Sequence, residues 1–190
     1  RCRHNKVESR GAKSVAMSEI AMHAMYREMT QISGRASFCI PDSPPPFAAQ
    51  FAEVEVDTET GRVRVLRFVS AVDCGTAINP LQVEGQIEGA VAMGIGYALY
   101  EEMLYDDSGC LLNRDLVDYK IAHADDMPRM QTIVVQSYEP TGPFGAKSVA
   151  EVPTNGPAPA IANAIRHAIG VRIPELPMTP DRILRALGKI

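Results

Sequence analysis

Residues 50–73, QFAEVEVDTETGRVRVLRFVSAVD, decide the fold of this chain because apolar and charged side chains alternate on both sides of a turn. The apolar positions are Ala52, Val54, Val56, Val63 and Val65, and the charged ones among them are Glu53, Glu55, Arg62 and Arg64. A period of two residues is typical of half-buried β-strands, and the segment from Thr58 to Gly61 has the composition of a turn. The sequence therefore predicts a β-hairpin in which Glu55 lies opposite Arg64.

A long helix that contains glycines is predicted downstream of the hairpin, from about Leu81 to Met103. Asn79 and Pro80 precede it, and proline is favoured at a helix start because its missing N–H costs nothing there. Four glycines interrupt the helix, at positions 85, 89, 94 and 96. Each one costs about 1 kcal/mol relative to alanine. We therefore expect either tight packing against another element or the approach of a ligand at these positions.

The remaining segments mix strands and helices. Strands are predicted at 116–121 and 130–138, and helices at 18–29, 158–169 and 180–187. A proline run, PDSPPPF at 41–47, is typical of a connector. The predicted class is α+β, a hairpin-containing mixed sheet packed with helices. Residues 1–46 are predicted to form an amino-terminal helix with its connector, and residues 47–190 a second domain.

Composition excludes several classes of function. The chain has 190 residues, of which 46% are hydrophobic and 22% charged, with a formal net charge of -4. This charge offers no basic surface for nucleic acid, and no apolar run approaches the roughly 20 residues that a membrane span requires. The cysteines and histidines are scattered, without spacings suited to zinc or an iron–sulfur cluster, so no metal ligand is expected among them. A cytoplasmic location without a signal peptide is expected.

The segment EPTGPFGAKSVAEV, at 139–152, contains the strongest catalytic candidate. It is not a phosphate-binding loop, because Ala146 separates Gly145 from Lys147. It places Glu151 four residues after Lys147, between a glycine-rich loop and a helix, and a carboxylate in that position suits a general base. The alternative is that Glu151 only caps the following helix.

Two further polar residues have less specific surroundings. Gln86, in the segment GQIEGA of the long helix, could donate to and accept from a polar ligand, or it could face water. Asp73, at the end of a predicted strand in VDCGTAINP, is interpreted as a turn residue.

Taken in order, several segments resemble the large, molybdenum-binding subunit of the xanthine dehydrogenase and aldehyde oxidoreductase family. They are SPPPFAAQFAEVEVD, VDCGTAINP, GQIEGAVAMGIGYALYEE, YKI, EPTGPFGAKSVAEV and PAPAIANAIRHAIGVRI. The resemblance extends from about Ser18 to the carboxy terminus, and the chain looks closest to the bacterial purine-hydroxylating type. It implies that the chain forms part of the second molybdopterin-binding domain of such a subunit.

The resemblance also implies roles for particular residues. Glu151 matches the glutamate of the family motif GxKxxGE, which acts as the base when an electron-poor carbon is hydroxylated. Gln86 matches the glutamine of GQxEG that hydrogen-bonds the pterin, and Gly85 and Lys147 are further candidate cofactor-binding residues. The family commonly has glycine where this chain has Ala150, and alanine adopts a positive φ only at a cost.

Cofactors, partners and substrate follow from the same resemblance. It implies molybdopterin, for which bacterial relatives suggest the cytosine dinucleotide form, together with 2Fe-2S and FAD groups on partner chains or domains. The expected reaction is oxidation of a purine such as xanthine or hypoxanthine. An aldehyde, another heteroaromatic or carbon monoxide is an alternative substrate, and an isolated non-catalytic fragment is an alternative to an enzyme. Family subunits have several hundred further residues upstream, so the chain is expected to be inactive without that polypeptide.

Overall fold

The computed structural model describes residues 2–3, 5–8, 14–37, 39 and 42–190, and the chain divides into two compact units, Arg1–Cys39 and Ile40–Ile190. In the first unit, three short strands form an antiparallel sheet and a helix follows directly. These elements are β1 (Cys2–Arg3), β2 (Lys6–Glu8), β3 (Ser14–Ala16) and α1 (Met17–Tyr26). The predicted helix at 18–29 is confirmed, although it ends three residues earlier. The sequence-based boundary after residue 46 stays a prediction.

The second unit is built on a mixed three-stranded sheet. Its strands are β4 (Phe47–Val56), β5 (Val63–Asp73) and β6 (Arg129–Val135), in that spatial order. Strands β4 and β5 form the predicted antiparallel hairpin, with Glu55 opposite Arg64 as expected, and β6 runs parallel to β5. Since helices pack on this sheet, the α+β class is confirmed.

A β-bulge in β5 changes which of its residues face the core. The register passes from Glu53 opposite Arg67 to Val54 opposite Val65, so Leu66 has no opposite residue. Buried positions are accordingly odd-numbered before the bulge and even-numbered after it: Val63 and Val65, then Phe68, Ser70 and Val72. One inserted residue shifts the alternation by one and increases the local twist of the strand.

Besides two 3-10 helices, Ala124–Asp126 and Pro143–Gly145, the described part of the second unit contains four α-helices. They are α2 (Pro80–Leu99), α3 (Val152–Asn155), α4 (Pro157–Ile169) and α5 (Pro180–Ala186). The core combines β5 with α2, α4 and α5, and its fully buried side chains include Phe68, Val72, Ile87, Ile95, Ile161, Ile165 and Ile183. None of the helices in the described residues is long and apolar enough to cross a membrane.

Two local predictions were wrong. The long helix ends at Leu99 instead of Met103, because buried Asn113 accepts a hydrogen bond from Leu104 N and donates one to Glu102 O, which holds the chain in another direction. The predicted strand at 116–121 is a turn, in which the Asp115 carboxylate accepts a hydrogen bond from Val117 N. An aspartate that binds the backbone two residues ahead competes with strand pairing.

The strand predicted at 130–138 is confirmed as β6, but it ends at Val135, three residues before the predicted limit. Val135 is opposite Asp73, the last residue of β5, so the neighbouring strand has no further residue with which to pair.

Candidate active site

The glycine-rich loop crosses the chain directly after the carboxy-terminal end of β5. Gly75 and Ala146 form an isolated antiparallel bridge. Lys147 N donates to Cys74 O at 2.8 Å, and Thr76 N donates to Gly145 O at 2.7 Å. The backbone on either side of Ala146 is therefore fixed to the residues that follow β5.

This crossing requires glycine at two positions, because neighbouring atoms lie very close to both and both have a positive φ. Gly145 has a φ of +81°, and a Cβ there would lie 2.5 Å from Tyr138 Cδ2 and 2.7 Å from Thr76 Oγ1. Gly75 has a φ of +65°, and a Cβ there would lie 2.4 Å from Gly145 O. Both the backbone conformation and the available space therefore disfavour any side chain at these two positions.

Asp73 and Lys147 form an ion pair at the crossing. Lys147 Nζ lies 2.7 Å from Asp73 Oδ2, and the two side chains are only 9% and 17% exposed. Asp73 Oδ1 accepts two further hydrogen bonds, from Gly75 N at 2.9 Å and from Ser137 Oγ at 2.8 Å. The Lys147 hydrogen bond, helped by those from Gly75 and Ser137, lowers the pKa of Asp73 to about 2. The carboxylate is therefore ionised at any physiological pH.

The ammonium group of Lys147 has an aromatic neighbour. Lys147 Nζ lies 5.3 Å from the centroid of the Phe47 ring, at the start of β4, which is within the range of a cation–π contact. Strands β4 and β5 therefore both contribute to holding this lysine.

Gln86, on α2, holds the same loop from a second element besides β5. Its Nε2 donates to Ala150 O at 3.0 Å. Gly85 and Gly89 are exposed on the same helix, and a Cβ at either would meet nothing within 4 Å. Gly94, in contrast, packs so tightly on Pro157 that a Cβ would lie 2.5 Å from its ring. Helix packing thus explains Gly94, whereas space for a ligand remains beside Gly85 and Gly89.

Glu151 follows this loop as the residue before α3. It has helical backbone angles, φ -110° and ψ -15°, and its carbonyl accepts from Thr154 N at 2.9 Å. Its side chain is exposed and makes no capping hydrogen bond, and it has no ion-pair partner within the described residues. Glu151 therefore occupies the N-cap position of α3 without capping the helix through a side-chain hydrogen bond. Ala150 is not among the described residues with positive φ, so alanine is accommodated without strain.

A cavity of 450 Å³ lies between the start of α2 and the glycine-rich loop. It is lined by Asn79, Gln82 and Gln86 from the start of α2, by Cys74, Thr76 and Ile78 after β5, and by the loop from Ala146 to Ala150. Glu151 comes directly after its last lining residue. Gln86 and Lys147 both line it, while Gly85 lies one residue outside it on α2. A second cavity, of 480 Å³, shares Ala146, Lys147 and Ser148 with the first.

Three residues that organise this site carry no signal in the local sequence. Asp73 has the sequence context of a turn residue, yet it holds Lys147. Ser137 and Gln50 were not singled out, yet Ser137 orients Asp73 and Gln50 Nε2 donates to Pro153 O at 2.8 Å. Their partners lie 64 and 103 residues away in sequence, so no local pattern marks them.

Comparison with known proteins adds a consistent set of relatives. The family model described as "Molybdopterin cofactor-binding domain" matches residues 1–128. "Probable hypoxanthine oxidase XdhD" from Escherichia coli is 46% identical over 158 residues, which are 83% of this chain and 16% of that protein. The "Xanthine dehydrogenase molybdenum-binding subunit" from Escherichia coli is 38% identical over 172 residues, 89% of this chain and 23% of that subunit.

A solved structure with the same fold is that of quinoline 2-oxidoreductase from Pseudomonas putida. It superposes with a TM-score of 0.83 at 32% sequence identity, and the match covers 97% of this chain and 25% of that one. The chain thus spans a quarter or less of the length of these relatives.

Proposed function

Because this chain belongs to the xanthine dehydrogenase and aldehyde oxidoreductase family of molybdenum-binding subunits, we propose that it forms one wall of a molybdenum hydroxylase active site, with Glu151 as the general base. The observation that supports this most directly is the position of Glu151. Its side chain is exposed and unpaired within the described residues, while the backbone on both sides of it is hydrogen-bonded.

The cavity beside Glu151 suits the polar edge of a heterocyclic cofactor. Three side-chain amides, of Asn79, Gln82 and Gln86, line it together with the backbone of the glycine-rich loop. Amides both donate and accept, which matches the alternating donors and acceptors of a pterin edge. The open space beside Gly85 and Gly89 allows a planar group to approach α2 closely. These residues therefore fit molybdopterin.

Gln86, Gly85 and Lys147 are the residues that we propose to hold the cofactor. Gln86 Nε2 has one hydrogen bond to Ala150 O, which leaves its second N–H and its carbonyl oxygen available. Gly85 contributes space rather than a contact. Lys147 lines both cavities, and although Asp73 binds its ammonium group, its position supplies a cation near an anionic group of the cofactor.

When bound, the cofactor supplies the redox chemistry, accepting the two electrons that leave the substrate when a C–H bond becomes a C–OH bond. The protein supplies position and proton transfer. Glu151 accepts the proton that the attacking, water-derived oxygen loses, and it can then return that proton to solvent. Because the Glu151 side chain makes no capping hydrogen bond, it can accept a proton without breaking one.

A purine such as xanthine or hypoxanthine is the substrate that we propose. Two of the relatives described above are named for xanthine or hypoxanthine, and one of them is 46% identical to this chain. The alternative substrate is another heteroaromatic compound or an aldehyde. The fold match to quinoline 2-oxidoreductase supports the heteroaromatic alternative.

We further propose that electrons leave through 2Fe-2S and FAD groups on partner chains or domains. One relative is named as a molybdenum-binding subunit, which supports a division of the chemistry among chains. The relatives are several times longer than this chain, and we infer that their additional residues provide the rest of the cofactor and substrate contacts. The cytosine dinucleotide form of the cofactor is part of the same proposal.

The decisive experiment replaces Glu151 with glutamine in the complete assembly. Glutamine keeps the size and the hydrogen-bonding shape but cannot accept the proton. Xanthine-dependent reduction of an artificial electron acceptor is measured at equal molybdenum content, and we expect turnover to fall by about 10²–10⁴-fold. Glu53→Gln is the matched control, since Glu53 is exposed on β4 and away from the cavity lining.

The outcomes separate the parts of the proposal. Unchanged turnover in E151Q would refute the general-base role. Loss of bound molybdenum in that variant would instead assign Glu151 to cofactor binding. A wild-type assembly that oxidises quinoline or an aldehyde but not xanthine would refute the purine substrate and leave the hydroxylase assignment in place.

A further inference from the structure

We propose that Asp73 is a positioning residue for Glu151, and that it acts through Lys147 on the loop that carries the base. The proposal rests on the function proposed above, because it explains how this chain keeps an exposed carboxylate in one place. Asp73 lies at the end of β5, 78 residues before Glu151 in the sequence, and it belongs to the most extensively paired strand of the sheet.

The first step is that Lys147 is fixed at both its side chain and its backbone. Its Nζ lies 2.7 Å from Asp73 Oδ2, and its backbone N donates to Cys74 O at 2.8 Å. Both partners are at the end of β5 or directly after it. A residue held by both groups cannot rotate about its own backbone without breaking one of the two bonds. The loop thus leaves Lys147 in a single direction, four residues before Glu151.

The second step is that Asp73 itself is oriented. Its Oδ1 accepts from Gly75 N and Ser137 Oγ, so Oδ2 points in a defined direction toward Lys147. A carboxylate with three donors in place, one of them charged, is far less free to change rotamer than a surface carboxylate. Asp73 therefore fixes Lys147, and with it the loop, to the end of β5.

The third step is that the backbone around Glu151 is held on both sides. Gln86 Nε2 donates to Ala150 O, directly before Glu151, and Gln50 Nε2 donates to Pro153 O, two residues after it. Gln50 Oε1 is buried without a partner in the described part of the chain, so the orientation of this amide is set by the bonds of its Nε2 to Pro153 and Ser70. The loop is thus anchored to β5, α2 and β4.

These three anchors differ in strength. The glutamine bonds are neutral, whereas the Asp73–Lys147 bond is charged and largely shielded from water. Charge-assisted hydrogen bonds are about twice as strong as neutral ones. Asp73 is therefore the anchor whose loss displaces Glu151 most, and a displacement of about 1 Å can lower the rate of a reaction by about 100-fold.

The test uses the complete, cofactor-loaded assembly with the variants Asp73→Asn, Lys147→Met and their combination. The first readout is amide hydrogen exchange in the segment 145–155, which does not depend on activity. We expect exchange there to be at least about tenfold faster in D73N. The second is the steady-state rate at equal molybdenum content, where we expect kcat to fall by about 10- to 100-fold while KM changes by less than about threefold.

Two further comparisons separate positioning from a general loss of stability. If Asp73 acts through Lys147, the double variant is no slower than the slower single variant, because both substitutions remove the same interaction. Lys147→Arg keeps the ion pair and is expected to recover most of kcat. The matched control is Glu55→Gln, which breaks the exposed Glu55–Arg64 pair of the same hairpin and leaves both readouts unchanged.

The proposal is overturned if D73N leaves kcat unchanged, whether or not exchange becomes faster, since the pair then only stabilises the fold. Additive losses in the double variant would also overturn it, because Asp73 would then act independently of Lys147. If D73N does not fold, Ser137→Ala removes only one of the three bonds to Asp73, and a fall in kcat of about two- to fivefold is expected. Failure of the base assignment appears separately, as an unaffected E151Q variant.

Discussion

Strand β5 takes part in one ion pair near each of its ends, and the two pairs differ in almost every respect. At the hairpin end, Arg64 and Glu55 lie 3.7 Å apart with side chains 65% and 61% exposed. At the other end, Lys147 and Asp73 lie 2.7 Å apart with side chains 9% and 17% exposed. The first pair joins neighbouring strands of one hairpin, and the second joins the sheet to a loop 74 residues away.

The difference teaches that burial, and not the presence of opposite charges, decides what an ion pair does. An exposed pair gains little because water screens it and two long side chains must be ordered. A shielded pair is not a large net gain over apolar residues either, but breaking it leaves a charge without compensation. The Asp73–Lys147 pair therefore restricts where the loop can lie, whereas the exposed Glu55–Arg64 pair adds little to the stability of the hairpin.

The largest effect is expected from Lys147→Met, which keeps the length of the side chain but removes its charge. Asp73 then remains shielded with only Gly75 N and Ser137 Oγ as donors. We expect the free energy of unfolding to fall by about 3 kcal/mol, the lower end of the range for a broken buried pair, because two donors remain. Urea denaturation measures this loss.

Arg64→Met is the matched control for that substitution, since it removes a cation of similar size from the exposed pair. Its expected cost is below about 1 kcal/mol. Equal losses in the two variants would contradict the conclusion that burial separates the pairs.

A smaller effect is expected when acid removes the charge of Asp73. Its pKa is about 2 in the folded protein against 3.8 for the unperturbed group, so the folded state favours the ionised form. The resulting stability is complete above pH 3.8 and is lost as the pH falls toward 2, and it amounts to at most about 2 kcal/mol. The difference in unfolding free energy between wild type and Asp73→Asn, measured from pH 5 to pH 2, isolates this contribution.

Ser137→Ala sharpens the same measurement, because it removes one of the donors that lower the pKa of Asp73. The acid-sensitive window should move to higher pH in this variant. A difference between wild type and D73N that does not vary with pH would show that Asp73 stabilises the protein by packing instead of charge.

The same contrast explains what could be predicted from the sequence. Glu55 and Arg64 are nine residues apart, and strand alternation with a four-residue turn was enough to place them opposite each other. Asp73 and Lys147 are brought together by a parallel strand and a glycine-rich crossing, and no periodicity in the sequence contains that information. Local physics therefore gave the hairpin, the helices and the α+β class.

The site depended on a different kind of inference. The local pattern marks Glu151 as a candidate base but leaves helix capping as the alternative, and Gln86 is a weak candidate by its local sequence. The resemblance to a family supports the roles of both residues. The resemblance assigned no role to Asp73, Ser137 or Gln50, whose contributions depend on partners 64 to 103 residues distant. The wrong strand at 116–121 has a local cause, since the hydrogen bond from Val117 N to Asp115 outweighed the apolar character of the segment.

The smallest expected effect is that of Glu55→Gln at the exposed pair. We expect a loss of no more than about 0.5 kcal/mol, because the 3.7 Å contact is open to water on both sides. What remains of it should disappear near 1 M salt, where the screening length is only about 3 Å. Urea denaturation at low and high salt measures both quantities, with Lys147→Met as the comparison whose larger loss should persist in salt. If Glu55→Gln lowered the free energy of unfolding by more than about 1 kcal/mol, or if the loss persisted at high salt, the Glu55–Arg64 pair would also stabilise the fold. The two ends of β5 would then differ only in degree.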